Sequence, residues 1–262
     1  IIFMGGTPRG YELLKMLSAY KERVIYAYIM KEDTHEIIKV SREIKKFCNK
    51  QKIPSQVCKK IGISELHRIS QLRPDVAFVC SWRTIISPQI YKRIPLGCIT
   101  AHDSLLPKYR GFAPLNWAII NGEKFTGVTL FRIQDGPVDS GDIFGQRKVR
   151  IGSKETAIEV YPRIIKATLH LYRDFLKALK KGKISCRRQN EILATYTCKR
   201  TPKDGLIDWN KSAGEVFNLI RALSTPYPCA WTCYEGKEIR IENATLPAKQ
   251  LKYIGNVPGR VA

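Results

Sequence analysis

The chain has 262 residues, of which 44% are hydrophobic, and its formal net charge is +22. This length suits one large domain, or a domain of roughly 180 residues with a smaller unit attached, and no apolar run approaches the ~18 residues that a membrane helix needs. The positive charge favours anionic partners such as phosphates, nucleotides, nucleic acid or a folate polyglutamate tail, although lysines on solvated helix faces account for much of it.

The first part of the chain alternates short apolar runs with amphipathic stretches. Strands are predicted at residues 1–5, 24–30, 74–80 and 97–102, with a short edge strand around residues 53–57. Between them, the spacing of apolar residues predicts helices after Gly10 and over residues 42–50, 63–71 and 87–93. This alternation, with continuous apolar runs in the strands, indicates an α/β fold with a doubly wound, Rossmann-like sheet. Ligands of such sheets bind at the carboxyl ends of the strands, where the strand order reverses.

The second part begins with two strands at residues 126–133 and 142–151, followed by a long amphipathic helix at 156–181. A further helix is predicted at residues 213–223, and two strands at 230–234 and 238–242. We therefore expect a catalytic domain at residues 1–185, a linker at 186–208 and a small β-rich unit at 209–262. Because a further strand begins to form at Val261, we expect that last unit to be incomplete.

The eight cysteines form no C-x-x-C pair, and the four histidines are scattered. A disulfide scaffold or a metal site usually shows closer spacing, so we expect free thiols, no metal and a reducing cytoplasm. The chain already forms a strand at Ile2 and Phe3, so we expect no signal peptide before it.

One segment combines a strand end with a reactive side chain. His102 follows the predicted strand 97–102, and the run Leu105-Leu106-Pro107 comes next. Because Pro107 breaks a helix, the apolar run is expected to form a loop that walls a pocket and excludes water. A histidine at a strand end is also a common structural feature, so this segment leaves both interpretations open.

A second segment, residues 134–142, connects two strands and carries three carboxylates: Asp135, Asp139 and Asp142. A carboxylate next to His102 would stabilise the protonated imidazole, so that the ring could shuttle a proton near neutral pH. Asp-x-Gly in a loop is equally typical of turn chemistry, and the sequence does not show that the two segments meet.

Four sequence blocks follow one another in a specific order. They are His102-x-Ser-Leu-Leu-Pro-Lys-Tyr-Arg-Gly, then Ala-Pro-Leu-Asn-Trp-Ala, Thr126-Gly-Val-Thr-Leu, and Val138-Asp-Ser-Gly-Asp-Ile. With Gly5-Gly6-Thr7-Pro8 before them and Arg200-Thr-Pro-Lys-Asp after them, this series resembles the formyltransferase family. That family includes methionyl-tRNA formyltransferases and amino-sugar nucleotide formyltransferases, and the resemblance spans nearly the whole chain.

The resemblance implies an enzyme that uses 10-formyltetrahydrofolate as co-substrate and an amine as acceptor. It implies that His102 relays a proton and that Asp139 holds and polarises His102. It also implies a folate site, formed largely by backbone groups of Ser104, Leu105, Leu106, Pro107, Gln134, Asp135, Gly136, Pro137 and Val138. Acceptor binding is expected from Arg9, Tyr109, Arg110 and Gly111.

Thr100 departs from the family pattern, which has Asn two residues before the histidine, where its amide stabilises the oxyanion. A threonine hydroxyl donates one hydrogen bond and has no NH2 group. Oxyanion donors contribute about 3–4 kcal/mol to catalysis. We therefore expect Thr100 to serve through its hydroxyl or a water, or the enzyme to be slow.

The sequence leaves two classes of acceptor possible. Methionyl-tRNA formyltransferases usually carry a long basic insertion after the second strand, whereas residues 30–41 include Glu32, Asp33 and Glu36. We favour a nucleotide-linked amino sugar, since residues 108–117 are also similar to the domain that modifies UDP-4-amino-arabinose. The +22 charge keeps tRNA as the alternative partner. A folate- or nucleotide-binding homologue with impaired catalysis is a third interpretation, and a homodimer is one assembly that the sequence allows.

Overall fold

A computed structural model describes residues 1–34, 36–247 and 257. Its strands, in chain order, are β1 (Ile2–Gly5), β2 (Tyr26–Met30), β3 (Ser55–Cys58), β4 (Ala77–Cys80), β5 (Cys98–His102), β6 (Arg110–Gly111), β7 (Phe125–Ile133), β8 (Ile143–Arg150), β9 (Tyr196–Thr197), β10 (Ala230–Tyr234) and β11 (Lys237–Ile241). Its helices are α1 (Thr7–Ala19), α2 (Ser41–Lys50), α3 (Ile63–Leu72), α4 (Pro88–Tyr91), α5 (Pro114–Ile120), α6 (Ala157–Lys180) and α7 (Ala213–Leu223). The strand predicted to begin at Val261 lies outside the described residues.

The central sheet has seven strands in the order β3-β2-β1-β4-β5-β7-β8. The strands from β3 to β5 are parallel, and β7 and β8 are antiparallel additions at one edge. The chain moves outward from β1 to β3 and then returns to the other side of β1 with β4. The strand order therefore reverses between β1 and β4, which is where ligands of doubly wound sheets bind.

Two hydrophobic clusters cover the two faces of the sheet. The larger contains apolar residues of α1 and α6 together with Ile99 and Ala101 of β5. The other packs Ile69 of α3 and Ile90 of α4 against Cys98 of β5. Because side chains alternate along a strand, Thr100 and His102 lie on the same face as Cys98.

The last described part forms a small antiparallel sheet of β10 and β11 next to α7. It joins the larger part through α5, whose Asn116 side-chain amide donates a 2.7 Å hydrogen bond to Ala222 O at the end of α7. Within the described residues, none of the helices is both long enough and apolar enough to cross a membrane.

The predicted doubly wound sheet is confirmed, and most ends of elements differ by one or two residues. Strand β4 begins three residues later than predicted, and α1 begins at Thr7 rather than after Gly10. Helix α5 was not predicted, because prolines and glycines made its surroundings look like a loop. Pro114 occupies the first turn of α5, where a missing N–H costs nothing because that group has no partner inside the helix. The segment 186–208, predicted as a linker, contains the short strand β9, which pairs with β6.

Candidate active site

A cleft of about 1040 Å³ opens at the carboxyl ends of β1, β4 and β5. Arg9 follows β1, Ser81 follows β4, and His102 ends β5, so each of these strands contributes a polar side chain to the cleft. The loop between β7 and β8 forms the opposite wall with residues 134–141. The cleft therefore lies where the sheet topology predicts a ligand.

His102 is only 9% exposed, and both of its ring nitrogens face oxygen atoms. Nε2 lies 2.7 Å from Tyr109 O, and Nδ1 lies 3.5 Å from Oδ2 of Asp139. Because a carbonyl oxygen only accepts hydrogen bonds, Nε2 carries the hydrogen in this contact. In the neutral ring the lone pair is therefore on Nδ1, on the side of the carboxylate.

Asp139 is held in the β7–β8 loop by backbone and side-chain contacts. Its Oδ2 atom accepts a 2.8 Å hydrogen bond from the N–H of Gly111. Its backbone has φ = 56°, in the left-handed region, which costs energy for a residue other than glycine. Its carbonyl accepts a 2.7 Å hydrogen bond from the side-chain amide of Gln189. These contacts hold the carboxylate towards His102.

This arrangement can hold a proton and stabilise the charge that results. A proton taken up at Nδ1 would convert the ring to an imidazolium, whose second N–H remains on Tyr109 O. The Asp139 carboxylate, one-fifth exposed, faces that positive charge. Opposite charges at such a distance interact more strongly in a partly buried site than in water.

Thr100 lies two residues before His102 on β5 and lines the same cleft. Its strand neighbours are Val79 on β4 and Phe131 on β7. Its hydroxyl is a single donor at the position where the family pattern has an amide.

Arg9 and Asp103 form a buried ion pair beside His102. The Arg9 side chain is 8% exposed and the Asp103 side chain 17%, and the Nε of Arg9 also donates a 3.2 Å hydrogen bond to the Ser81 hydroxyl. The pair connects the ends of β1, β4 and β5 across the strand reversal. Both residues line the cleft, and because buried charges need partners, the pair holds both side chains in place.

The far wall of the cleft carries a second polar contact. The Tyr91 hydroxyl donates a 2.5 Å hydrogen bond to Asp135, which also pairs with Lys92 at 2.6 Å. Burial and the hydrogen bond to Asp135 raise the pKa of Tyr91 to about 12. Hydrogen bonds from Lys92 and Tyr91 lower the pKa of Asp135. Near neutral pH the contact is therefore a neutral phenol on a carboxylate.

The structure brings most of the predicted site residues together. Those that line the cleft are Arg9, Thr100, His102, Gly111, Gln134, Asp135, Gly136, Pro137, Val138 and Asp139. Tyr109 contributes its carbonyl to His102, while its hydroxyl donates a hydrogen bond to Glu123.

The structure does not place Ser104, Leu105, Leu106 and Pro107 in the cleft lining. Ser104 and Leu106 are buried, and the Thr129 hydroxyl accepts from Leu106 N and donates to Ser104 O. Leu106 O accepts from the Gln146 side chain. These three backbone groups are thus bonded within the protein, and folate binding by residues 104–107 stays a prediction.

Arg110, predicted to bind the acceptor, is fully buried. Its guanidinium donates hydrogen bonds to Glu191, Gln189 and Tyr196. The guanidinium is therefore not free to bind an acceptor in the cleft. The resemblance to the family implied that role, but the partners of Arg110 come from a segment far along the chain.

Several residues at this site were not predicted from the sequence. Asp103 and Ser81 were missed although each directly follows a strand that ends at the cleft, which was the available signal. Gln189 and Glu191 gave no such signal, because they lie in a polar segment that only the fold brings next to Arg110.

A family model described as "Formyl transferase" matches residues 31–176, and one described as "Formyl transferase, C-terminal domain" matches residues 199–262. The chain is 40% identical over 215 residues to the bifunctional polymyxin resistance protein ArnA of Wigglesworthia glossinidia brevipalpis. That match covers 82% of this chain and 33% of the relative, so the chain spans about a third of the relative's length.

Two solved structures illustrate the likeness in fold. An N-formyltransferase from Helicobacter canadensis, in complex with folinic acid and dTDP-3-aminofucose, superposes with a TM-score of 0.73 at 20% identity, covering 96% of this chain and 90% of that one. A methionyl-tRNA formyltransferase from Clostridium thermocellum gives a TM-score of 0.61 at 22% identity, covering 87% and 96%.

Proposed function

The chain belongs to the formyl transferase family, and on that premise we propose that it transfers the formyl group of 10-formyltetrahydrofolate to a primary amine. The observation that carries the proposal is the 3.5 Å approach of His102 Nδ1 to Asp139 Oδ2 in the cleft at the strand reversal. The Tyr109 carbonyl orients the ring through Nε2, and the carboxylate faces the nitrogen that would take up a proton, which favours a base at this position.

The reaction proceeds by addition and elimination at the formyl carbon. The neutral amine forms the new C–N bond, and the carbonyl oxygen becomes a tetrahedral oxyanion. The proton that the amine nitrogen loses passes to the His102–Asp139 pair, where Nδ1 holds it and the facing carboxylate stabilises the imidazolium. Collapse of the intermediate breaks the bond between the formyl carbon and N10 of the folate, and the His102 proton passes to N10. The products are the formamide and tetrahydrofolate.

Thr100 is the side chain of this chain that would face the oxyanion. It lies on the same strand face as His102 and lines the cleft, so its hydroxyl can donate one hydrogen bond directly or through a water. Such a donor is weaker and shorter than an amide. We infer that the single hydroxyl donor of Thr100 limits the rate of formyl transfer.

For the acceptor we propose a nucleotide-linked amino sugar. Glu32 folds the loop after β2 back on itself by accepting hydrogen bonds from the backbone N–H groups of Val40 and Ser41. Asp33 and Glu36 of this loop pair with Arg83 beside the cleft. A compact loop with acidic side chains favours a small acceptor over a nucleic-acid backbone. The Helicobacter canadensis N-formyltransferase, solved in complex with folinic acid and dTDP-3-aminofucose, has the same fold.

The test is an assay with 10-formyltetrahydrofolate carrying a labelled formyl group and a panel of amines. The panel contains UDP- and dTDP-linked amino sugars, simple amines and charged initiator tRNA, with product identified by mass. A labelled formamide on a nucleotide sugar supports the proposal. Labelled product on tRNA alone overturns the acceptor, and no product with any amine overturns formyl transfer.

Methionyl-tRNA is the second candidate acceptor, favoured by the net charge of +22. Binding through phosphates weakens steeply as salt rises, with a slope that reports the number of neutralised phosphates. Retention on tRNA with such a slope, and no thermal stabilisation by nucleotide sugars, would favour this candidate. Stabilisation by UDP or dTDP sugars in the absence of tRNA binding would favour the sugar.

A further inference from the structure

Arg110 is the centre of a buried hydrogen-bond network next to the cleft. Its side chain is fully buried, and its two terminal nitrogens donate to the two carboxylate oxygens of Glu191, at 2.7 Å each. Nε and Nη2 also donate to Oε1 of Gln189, at 3.1 Å and 2.8 Å. A bidentate ion pair of this kind fixes the relative orientation of the two side chains as well as pairing their charges.

Arg110 determines which way the Gln189 amide points. A guanidinium carries only donors, so the oxygen of the amide must face it and the nitrogen must face away. That nitrogen donates to Asp139 O at 2.7 Å and to Gly141 O at 2.8 Å. Both hydrogens of the amide are therefore used on the loop that carries Asp139.

The loop that carries Asp139 needs contacts from outside the loop to keep its conformation. Asp139 adopts φ = 56°, and a side chain at Gly141 would collide with Arg132 O. A left-handed residue persists only where its surroundings stabilise it. The two hydrogen bonds from Gln189 fall on the carbonyls on either side of Ser140, and so brace the strained part of the loop.

The backbone on either side of Arg110 contacts His102 and Asp139 directly. The preceding carbonyl, of Tyr109, lies 2.7 Å from His102 Nε2, and the following N–H, of Gly111, donates to Asp139 Oδ2. Pairing of β6 with β9 fixes this backbone. The segment Tyr109–Gly111 thus contacts His102 and Asp139 through its backbone, and the Arg110 side chain acts on the Asp139 loop through Gln189.

From this geometry we propose that Gln189 is a positioning residue, oriented by Arg110, that holds Asp139 against His102. The proposal rests on the proposed function, since it assigns a role in formyl transfer to a group that does not touch substrate. Small displacements of a reacting group lower the rate of a chemical step more than they weaken substrate binding.

The test is the variant Gln189→Glu in the full chain, which keeps size and the acceptor towards Arg110 but removes both donors. We expect kcat to fall by about tenfold to a hundredfold, with KM for both substrates within about twofold of wild type. Gln71→Glu, the same change on the exposed face of α3, is the matched control and keeps wild-type kinetics. An unchanged kcat, or a change confined to KM, overturns the proposal.

A second readout separates this proposal from the proposed function. In nitrogen-15 NMR, the His102 ring signals of wild type reflect the contacts to Tyr109 O and Asp139. We expect Gln189→Glu to move them, and Gln71→Glu to leave them in place. If wild type formylates no amine, the proposed function fails, and these signals alone decide: unchanged signals overturn the positioning role. If Gln189→Glu does not fold, Gln189→Met, which also lacks the donors, is measured in its place with the same two outcomes.

Discussion

Oδ2 of Asp139 lies 3.5 Å from His102 Nδ1 and accepts the N–H of Gly111 at 2.8 Å. The contact joins the end of β5 to the loop between β7 and β8, which are neighbours in the sheet. Both side chains line the cleft rather than the interior between sheet and helices. Changes at either position should therefore affect the reaction much more than the stability of the fold.

His102→Ala removes the group that accepts the amine proton. General acid–base groups contribute about 100-fold to 10,000-fold to a rate, so we expect kcat/KM to fall within that range. The melting temperature should stay close to that of wild type. His67→Ala, on the exposed face of α3, is the control. A His102→Ala enzyme with full activity would remove this residue from the mechanism.

Asp139→Asn keeps the size of the side chain but removes its charge. We expect kcat to fall by about tenfold or more, because the imidazolium formed in the reaction loses its partner. The pH dependence of kcat/KM should also differ from that of wild type. Asp174→Asn, which breaks the exposed pair with Arg147, should alter neither. Identical pH–rate profiles for Asp139→Asn and wild type would exclude the assigned role.

Thr100→Asn restores the side-chain amide that the family pattern has two residues before the histidine. Loss of one oxyanion donor costs about 100-fold to 1,000-fold in other enzymes, so a gain of about tenfold in kcat is expected. Thr100→Val, of nearly the same shape, should lower kcat because it removes the hydroxyl donor. If the valine and threonine enzymes are equally fast, the hydroxyl has no part in the reaction.

Glu65 provides a prediction about stability and pH. Burial acts to raise the pKa of this carboxyl, but hydrogen bonds from Gly62 N–H, the Ser64 hydroxyl and the Gln56 amide outweigh it, and the pKa is lowered. A lowered pKa in the folded state means that the stabilisation is complete above the unfolded value of about 4.3 and disappears as pH falls through the folded value.

Glu65→Gln should therefore lower the free energy of unfolding at neutral pH by about 1–3 kcal/mol. The difference from wild type should shrink as the pH falls below the unfolded value of about 4.3, as measured by urea unfolding. Glu43→Gln, at an exposed position of α2, should have little effect at any pH. A difference that stays constant with pH would show that the carboxylate charge of Glu65 does not contribute.

The sequence predicted the sheet and its helices well because their signals are local. Continuous apolar runs at β1, β2, β4 and β5 need no distant information, and the capping residues of α6 are adjacent to it. Helix α5 was missed for a local reason as well, since Pro114 signals a loop and a helix start equally. The pair of two-residue strands β6 and β9 has no periodicity to detect.

The sequence by itself determined the fold class, the family and the two segments that carry His102 and Asp139. Strand patterns and ordered motifs depend only on residues that are close together in the sequence. Only the tertiary structure decided what these residues contact. It placed Arg110 in the interior, left residues 104–107 out of the cleft lining and brought Gln189 to the Asp139 loop. These outcomes depend on which distant segments pack together, and the hydrogen bonds of a buried side chain are set by those neighbours rather than by adjacent residues.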